Sequence, residues 1–106
     1  MHYVFDIDGT ICTTISGDYN NSSPITERID KVNMLFSEGH RVIFHTARGM
    51  GTFNNDGSKA HKKYYWLTFN QLTEWGVKFH KLIMGKPSGN LYVDDKGIND
   101  EEFFEY

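Results

Sequence analysis

Tyr3-Val4-Phe5-Asp6-Ile7-Asp8-Gly9-Thr10 decides how the rest of the chain is read. An apolar run stops at two carboxylates one residue apart, and a glycine and a hydroxyl follow. Side chains alternate along a strand, so residues i and i+2 share a side. Asp6 and Asp8 therefore face one site from a strand end. Gly9 permits a sharp exit that a residue with a Cβ would resist. Two carboxylates this close repel unless a cation sits between them or one is protonated. A hard cation and phosphoryl chemistry, with one carboxylate as nucleophile, would give that arrangement a purpose.

Outward from this stretch, the residues alternate between two periods. His2 to Ile7 is nearly all apolar, the pattern of a strand buried on both faces. Residues 11–22 carry β-branched Ile11, Thr13, Thr14 and Ile15, then Gly17, Asp18, Asn20, Asn21 and Ser22. They read as a short hairpin or flap with a polar tip, leaving from the carboxylate turn and overhanging the site. Ser23-Pro24 reads as an N-cap with proline in the first turn. Ile25, Ile29, Val32 and Phe36 then recur at helical spacing, and Gly39 stops that helix.

Arg41 to Thr46 is a second strand, ending in Thr46-Ala47-Arg48-Gly49. Met50 to Ser58 reads as an exposed loop at the same sheet end, a candidate substrate loop. Lys59 to Trp75 is a second helix, with Leu67, Gln71, Leu72 and Trp75 on its inner face and Gly76-Val77 at its end. Val77 to Met84 is a third strand, left through Gly85-Lys86-Pro87. Leu91-Tyr92-Val93-Asp94-Asp95 is expected as a fourth strand, again ending in paired carboxylates. Ile98 to Tyr106 is a short acidic terminal helix or tail.

Strand and helix in alternation argue for an α/β layered fold. The expected architecture is a three-layer, Rossmann-like core with a mainly parallel four-stranded sheet, helices on both faces, a flap at about 11–22 and no cap domain. At 106 residues, a single domain spanning 1–106 is expected. Ligands bind outside the carboxyl ends of the strands in such sheets. Asp6, Asp8, Thr46, Lys86, Asp94 and Asp95 all fall at or just beyond those ends.

Composition narrows the partners. The net charge is −3, from 11 basic and 14 acidic residues, and no basic run points to nucleic acid. The single Cys12 forms no internal disulfide, which fits a reducing cytoplasm; it reads as a small buried or flap residue, since no nucleophile motif surrounds it. No apolar run approaches membrane-spanning length, and the N-terminus leads directly into a strand. The five histidines lack zinc-site spacing, and His45 reads as a packed or supporting neighbour of Thr46. Tyr64-Tyr65-Trp66 is partly core and partly a candidate homo-oligomer surface.

The motifs in order are Asp6-Ile7-Asp8-Gly9-Thr10, Thr46 after the second strand, Lys86 in Gly85-Lys86-Pro87, and Asp94-Asp95. In this order they resemble the haloacid dehalogenase (HAD) superfamily of phosphatases, over nearly the whole chain. The resemblance implies Asp6 as nucleophile forming an aspartyl-phosphate and Asp8 as general acid, then base. It implies phosphate contacts from Thr46, the backbone at Ala47, and Lys86, with Lys86 also neutralising the nucleophile. It implies Mg²⁺ held by Asp6, the carbonyl of Asp8, and Asp94, with Asp95 supporting through water or orienting Lys86. Charge counting points the same way: up to four carboxylates would meet one lysine. At an effective dielectric of ~20, each like-charge pair ~4 Å apart costs on the order of 4 kcal/mol.

Arg48 is open to two readings, binding a second anionic group of the substrate or pairing with an acidic neighbour. By the same resemblance, an acid at Asp8 implies ester hydrolysis rather than phosphonate or haloacid chemistry. Thr46-Ala47-Arg48-Gly49 and Tyr92-Val93-Asp94-Asp95-Lys96 further look like small capless phosphatases of bacteria and phages, some linked to capsule or surface-polysaccharide synthesis. The expected activity is thus a Mg²⁺-dependent phosphomonoester hydrolase, on a phosphosugar or other small phosphorylated metabolite. The alternatives are a nucleotide or polynucleotide end phosphatase and, in another class, a receiver-like phosphoryl-accepting signalling module. Receivers place their acidic pair first in the chain, whereas the Asp94-Asp95 pair comes last.

Overall fold

Burial splits the central sheet by residue parity. In the computed structural model, which describes residues 1–105, β1 (His2–Phe5), β4 (Arg41–Thr46) and β5 (Lys81–Met84) form a parallel three-stranded sheet in the order β1-β4-β5. Phe5 pairs with Phe44, Phe44 with Leu82, and Thr46 with Met84. All five of these side chains are buried. The interleaved residues Val4, Ile43, His45 and Ile83 form the other face, where Val4 is 62% and Ile83 37% exposed.

Three helices cover the buried face. α1 (Thr26–Ser37) turns Ile29, Val32 and Leu35 inward. It ends where His40 N–H reaches back to the Leu35 carbonyl, the cap that Gly39 was expected to supply. α2 (Gly57–Glu74) buries Ala60, Thr68 and Leu72, and the Asp56 carboxylate accepts from the Ser58 and Lys59 N–H groups at its start. α3 (Asp100–Phe104) returns across β1, where Phe103 meets Tyr3 and Phe5 and Phe104 meets Phe5. Arg28 ties it to α1 through a 2.7 Å ion pair with Asp100. The Cα radius of gyration is 13.3 Å, close to the ~13 Å of a packed domain of 100 residues. No cap domain is present among the described residues.

Between β1 and α1, β2 (Cys12–Thr13) pairs antiparallel with β3 (Ser23–Pro24), and a 3₁₀ turn at Tyr19–Asn21 forms the tip. The expected flap is therefore a two-stranded ribbon. Its second strand takes Ser23-Pro24, which the sequence reading gave to the helix start. Proline is tolerated there because the ribbon has only edge strands. α1 instead begins after Ile25, with no side-chain cap.

Several other expectations are corrected. The sheet has three strands, and the helices lie on one face, so it has two layers rather than three. Leu91–Asp95 is not a strand; Leu91 is 80% and Val93 87% exposed. The physical reason lies in local hydrogen bonds that compete with a ladder. Tyr92 Oη donates to the Pro87 carbonyl at 2.6 Å and accepts from Gly89 N–H at 3.0 Å. Asp94 Oδ1 accepts from the N–H groups of Lys96 and Gly97. The third strand is shorter than expected: Val77 to His80 lie outside it, with His80 N–H donating to the Val42 carbonyl at 2.8 Å and the His80 ring accepting from Val42 N–H. Met50 is buried rather than part of an exposed loop. Tyr106, the end of the expected terminal helix or tail, lies outside the described residues.

Candidate active site

The carboxyl ends of β1, β4 and β5 carry the polar residues that the sequence singled out. β1 delivers Asp6 just past Phe5. Ile7, fully buried, anchors the turn, and its carbonyl accepts from Thr10 N–H at 3.0 Å and Ile11 N–H at 2.9 Å. Gly9, at φ +80°, makes the sharp exit. Asp8 bridges to Cys12 at the root of the ribbon.

Asp6 stands on the open side of the sheet end. Lys86 Nζ, just past β5, lies 3.8 Å from Asp6 Oδ1 and 4.4 Å from the centre of the Tyr92 ring. Lys86 is fixed at its backbone, where its N–H donates to the Thr46 carbonyl at 3.1 Å. Burial raises the Asp6 carboxyl above its ordinary value, an effect the Lys86 charge opposes and the Asp8 and Asp100 charges reinforce. His45 is held below its ordinary value by burial and by Lys86, with Asp6 opposing. Burial and the nearby Lys86 charge thus favour its neutral form.

Asp8 faces a different partner. Arg48, with no exposed side chain, donates from Nε to Asp8 Oδ2 at 3.0 Å and from Nη2 to Oδ1 at 2.9 Å. Its Nη1 donates to Gln71 Oε1 at 2.7 Å and Thr68 Oγ1 at 3.3 Å. Thr14 Oγ1 donates to Asp8 Oδ1 and lies 2.6 Å from Ser22 Oγ. The Arg48 guanidinium lies 4.9 Å from the centre of the Tyr19 ring. Two further bonds hold the flap down: Gly49 N–H donates to Tyr19 Oη at 3.1 Å, and Gln71 Nε2 to the Tyr19 carbonyl at 2.6 Å. Gly49 has φ +81°, and a Cβ there would meet Tyr64 at 2.6 Å. Cys12 touches this cage but is inert as a nucleophile, its thiol pushed up to about 11 chiefly by burial.

The structure thus brings together Asp6, Asp8, Thr46, Ala47, Arg48 and Lys86. Of the two readings of Arg48, it supports pairing with an acidic neighbour; full burial keeps the guanidinium from a substrate. Thr46 is also buried, with its Oγ1 accepting from Arg48 N–H at 3.1 Å. Among the described residues, Asp94 and Asp95 make no hydrogen bond or ion pair with Asp6, Asp8 or Lys86. Hydrogen bonds from the Lys96 and Gly97 backbone hold Asp94 below the ordinary carboxylate value, and Asp95 pairs with Lys96 at 3.3 Å. The charge count changes accordingly: Asp6 faces Lys86 and Asp8 faces Arg48, rather than four carboxylates facing one lysine. Among the described residues, no group of three or more His, Cys, Asp or Glu could hold a metal ion. Asp6 and Asp8 are hard oxygen donors of the kind that Mg²⁺ takes.

Sequence reading missed the cage around Arg48. Thr68 and Gln71 lie one turn apart on α2, and that i, i+3 polar pair on an otherwise apolar helix face was the available signal. Tyr19, Thr14 and Ser22 carried none, because the ribbon brings them in from a polar loop. Asp100, whose charge is felt at Asp6, was read only as part of an acidic tail.

No protein-family model matches the chain, and no curated protein sequence matches it. Among solved structures, the crystal structure of an MCSG target from Vibrio cholerae superposes with a TM-score of 0.90. The match covers 99% of this chain and 88% of that one, at 24% identity. That likeness speaks for the fold, a capless α/β arrangement on a parallel sheet. No helix among the described residues is long and apolar enough to cross a membrane.

Proposed function

We propose that this protein is a phosphomonoester hydrolase of the HAD type, working through an aspartyl-phosphate on Asp6. The observation that carries the reading is the convergence at one sheet end of Asp6, Asp8 and the Lys86 ammonium, 3.8 Å from Asp6. Nucleophile, proton carrier and phosphate-neutralising cation are the three parts that such a hydrolysis needs.

In this reading an Asp6 oxygen attacks phosphorus, and the bond from phosphorus to the ester oxygen breaks. The Asp8 proton goes to the departing alcohol. Asp8 then takes a proton from the water that attacks the phosphoryl group, which regenerates Asp6 and releases phosphate. Lys86 offsets the negative charge gathered on Asp6 and the transferring group. Asp6 and Lys86 remain partly exposed, and no cap domain closes over them. This suits a small phosphorylated metabolite such as a phosphosugar.

Mg²⁺ belongs to the proposal on the strength of the sequence motifs alone. Asp94 would have to join Asp6 to hold it, so no step is assigned to the ion. The test is phosphate release from an aryl phosphate ester with Mg²⁺, followed by EDTA. Release that EDTA abolishes is expected. A phosphoaspartate that forms and persists without release would overturn hydrolysis in favour of a receiver-like module.

A further inference from the structure

A fully buried arginine bonded to a carboxylate that is 27% exposed calls for a reason. Removing a guanidinium from water is costly, and the pair repays it only with excellent geometry and further hydrogen bonds. Arg48 is nonetheless the largest fully buried side chain among the described residues. Its donors are shared out in two directions. Nη1 is fixed by Gln71 and Thr68 of α2, while Nε and Nη2 form a fork on Asp8. Ser22 Oγ at 3.5 Å and Cys12 Sγ at 3.9 Å complete the cage on Nη2. The planar fork fixes the plane of the carboxylate it holds.

We infer that Arg48 is a positioning residue for Asp8, holding the carboxylate so that Oδ2 is the oxygen that exchanges the proton with the ester. This rests on the phosphatase reading above. The two oxygens are not equivalent. Oδ1 accepts from Arg48 Nη2 and Thr14 Oγ1 and has a long contact to Arg48 Nε at 3.3 Å. Among the described residues Oδ2 accepts only from Arg48 Nε, at 3.0 Å, and so keeps lone-pair capacity for a proton. In the first step the O–H bond at Oδ2 breaks as the ester oxygen leaves phosphorus and takes that proton. In the second, Oδ2 accepts a proton from the attacking water. α2 thereby sets the orientation of a group at the end of β1 without itself touching the substrate. The flap is built into the same device, since Tyr19 stacks on the guanidinium and Thr14 holds Oδ1.

Leaving-group dependence separates positioning from mere stability. A proton donor matters greatly when a poor alcohol departs and little when a nitrophenolate does. Wild type, Arg48→Lys, Arg48→Ala and Gln71→Leu are compared on p-nitrophenyl phosphate and on an alkyl phosphate. In Arg48→Ala, kcat on the alkyl ester should fall at least about tenfold further than kcat on the aryl ester, with KM little changed. Added guanidinium should restore part of the alkyl activity. Gln71→Leu, which leaves the Arg48–Asp8 fork intact, keeps the test open if Arg48 variants do not fold, and should show the same bias in smaller degree. An equal fall on both esters, or a rise in KM at unchanged kcat, would overturn the inference alone. A wild-type protein inert towards both esters would overturn the phosphatase reading, and this one with it.

Discussion

Two segments of this chain share one local pattern and meet opposite fates. Tyr3-Val4-Phe5 leads into Asp6 and Asp8; Leu91-Tyr92-Val93 leads into Asp94 and Asp95. The first is a strand whose partners and turn fix the acids at the sheet end. The second is exposed along its length, and its acids answer to Lys96 and to nearby backbone N–H groups. An apolar run ending in acids is therefore not enough to make a site. The first run has α3 against one face and β4 along its edge. The second has its own turn and the Lys86 ammonium over the Tyr92 ring.

The sharpest way to break this contrast is at the acids themselves. Asp6→Asn should lower phosphate release by about 10³-fold or more, since an amide does not serve as the nucleophile. The same change should stabilise the fold at neutral pH. Burial raises the Asp6 carboxyl, so its protonated form favours the folded state. That contribution is complete below the ordinary value of 3.8 and is lost as pH rises through the raised folded value. The melting-temperature gap between Asp6→Asn and wild type should therefore widen in the variant's favour as pH rises.

Asp94→Asn probes the second run. If the proposed Mg²⁺ draws Asp94 to Asp6, the variant should need more Mg²⁺ for half-maximal phosphate release. An unchanged requirement would leave the C-terminal run outside the site. Packing gives a further contrast. Phe44→Ala, at a side chain buried beside Phe5, should cost about 3–5 kcal/mol in urea unfolding. Leu91→Ala, at an exposed side chain, should stay within about 0.5 kcal/mol. An intermediate effect is expected at the turn between the sheet end and α2. Gly49→Ala should cost about 1–3 kcal/mol, through the strain of a positive φ and the approach to Tyr64. Calorimetry would show a stability unchanged by Gly49→Ala if that turn relaxes freely.

Much of the frame was legible because it is written in short-range terms. Arg41 to Thr46 reads as a strand from its own residues, and α1 from the spacing of Ile29, Val32 and Phe36. Glycine and asparagine marked where each turn would fall. Ser23-Pro24 misled because a cap followed by proline and a short ribbon strand look alike when read locally. Leu91 to Asp95 misled because strand propensity is weaker than the turn that Tyr92 and Asp94 close with their own hydrogen bonds.

Residue order alone determined the repeating strand–helix frame and the gathering of Asp6, Asp8, Thr46 and Lys86 at one sheet end, because alternation and turn chemistry act within a few residues. Only the tertiary structure decided that Arg48 answers Asp8. Arg48 lies forty positions from Asp8, and Gln71 and Tyr19 reach the cage from a helix and a ribbon. Partners so distant in sequence are chosen by how the elements pack, since a buried charge must find its bonds wherever the fold supplies them.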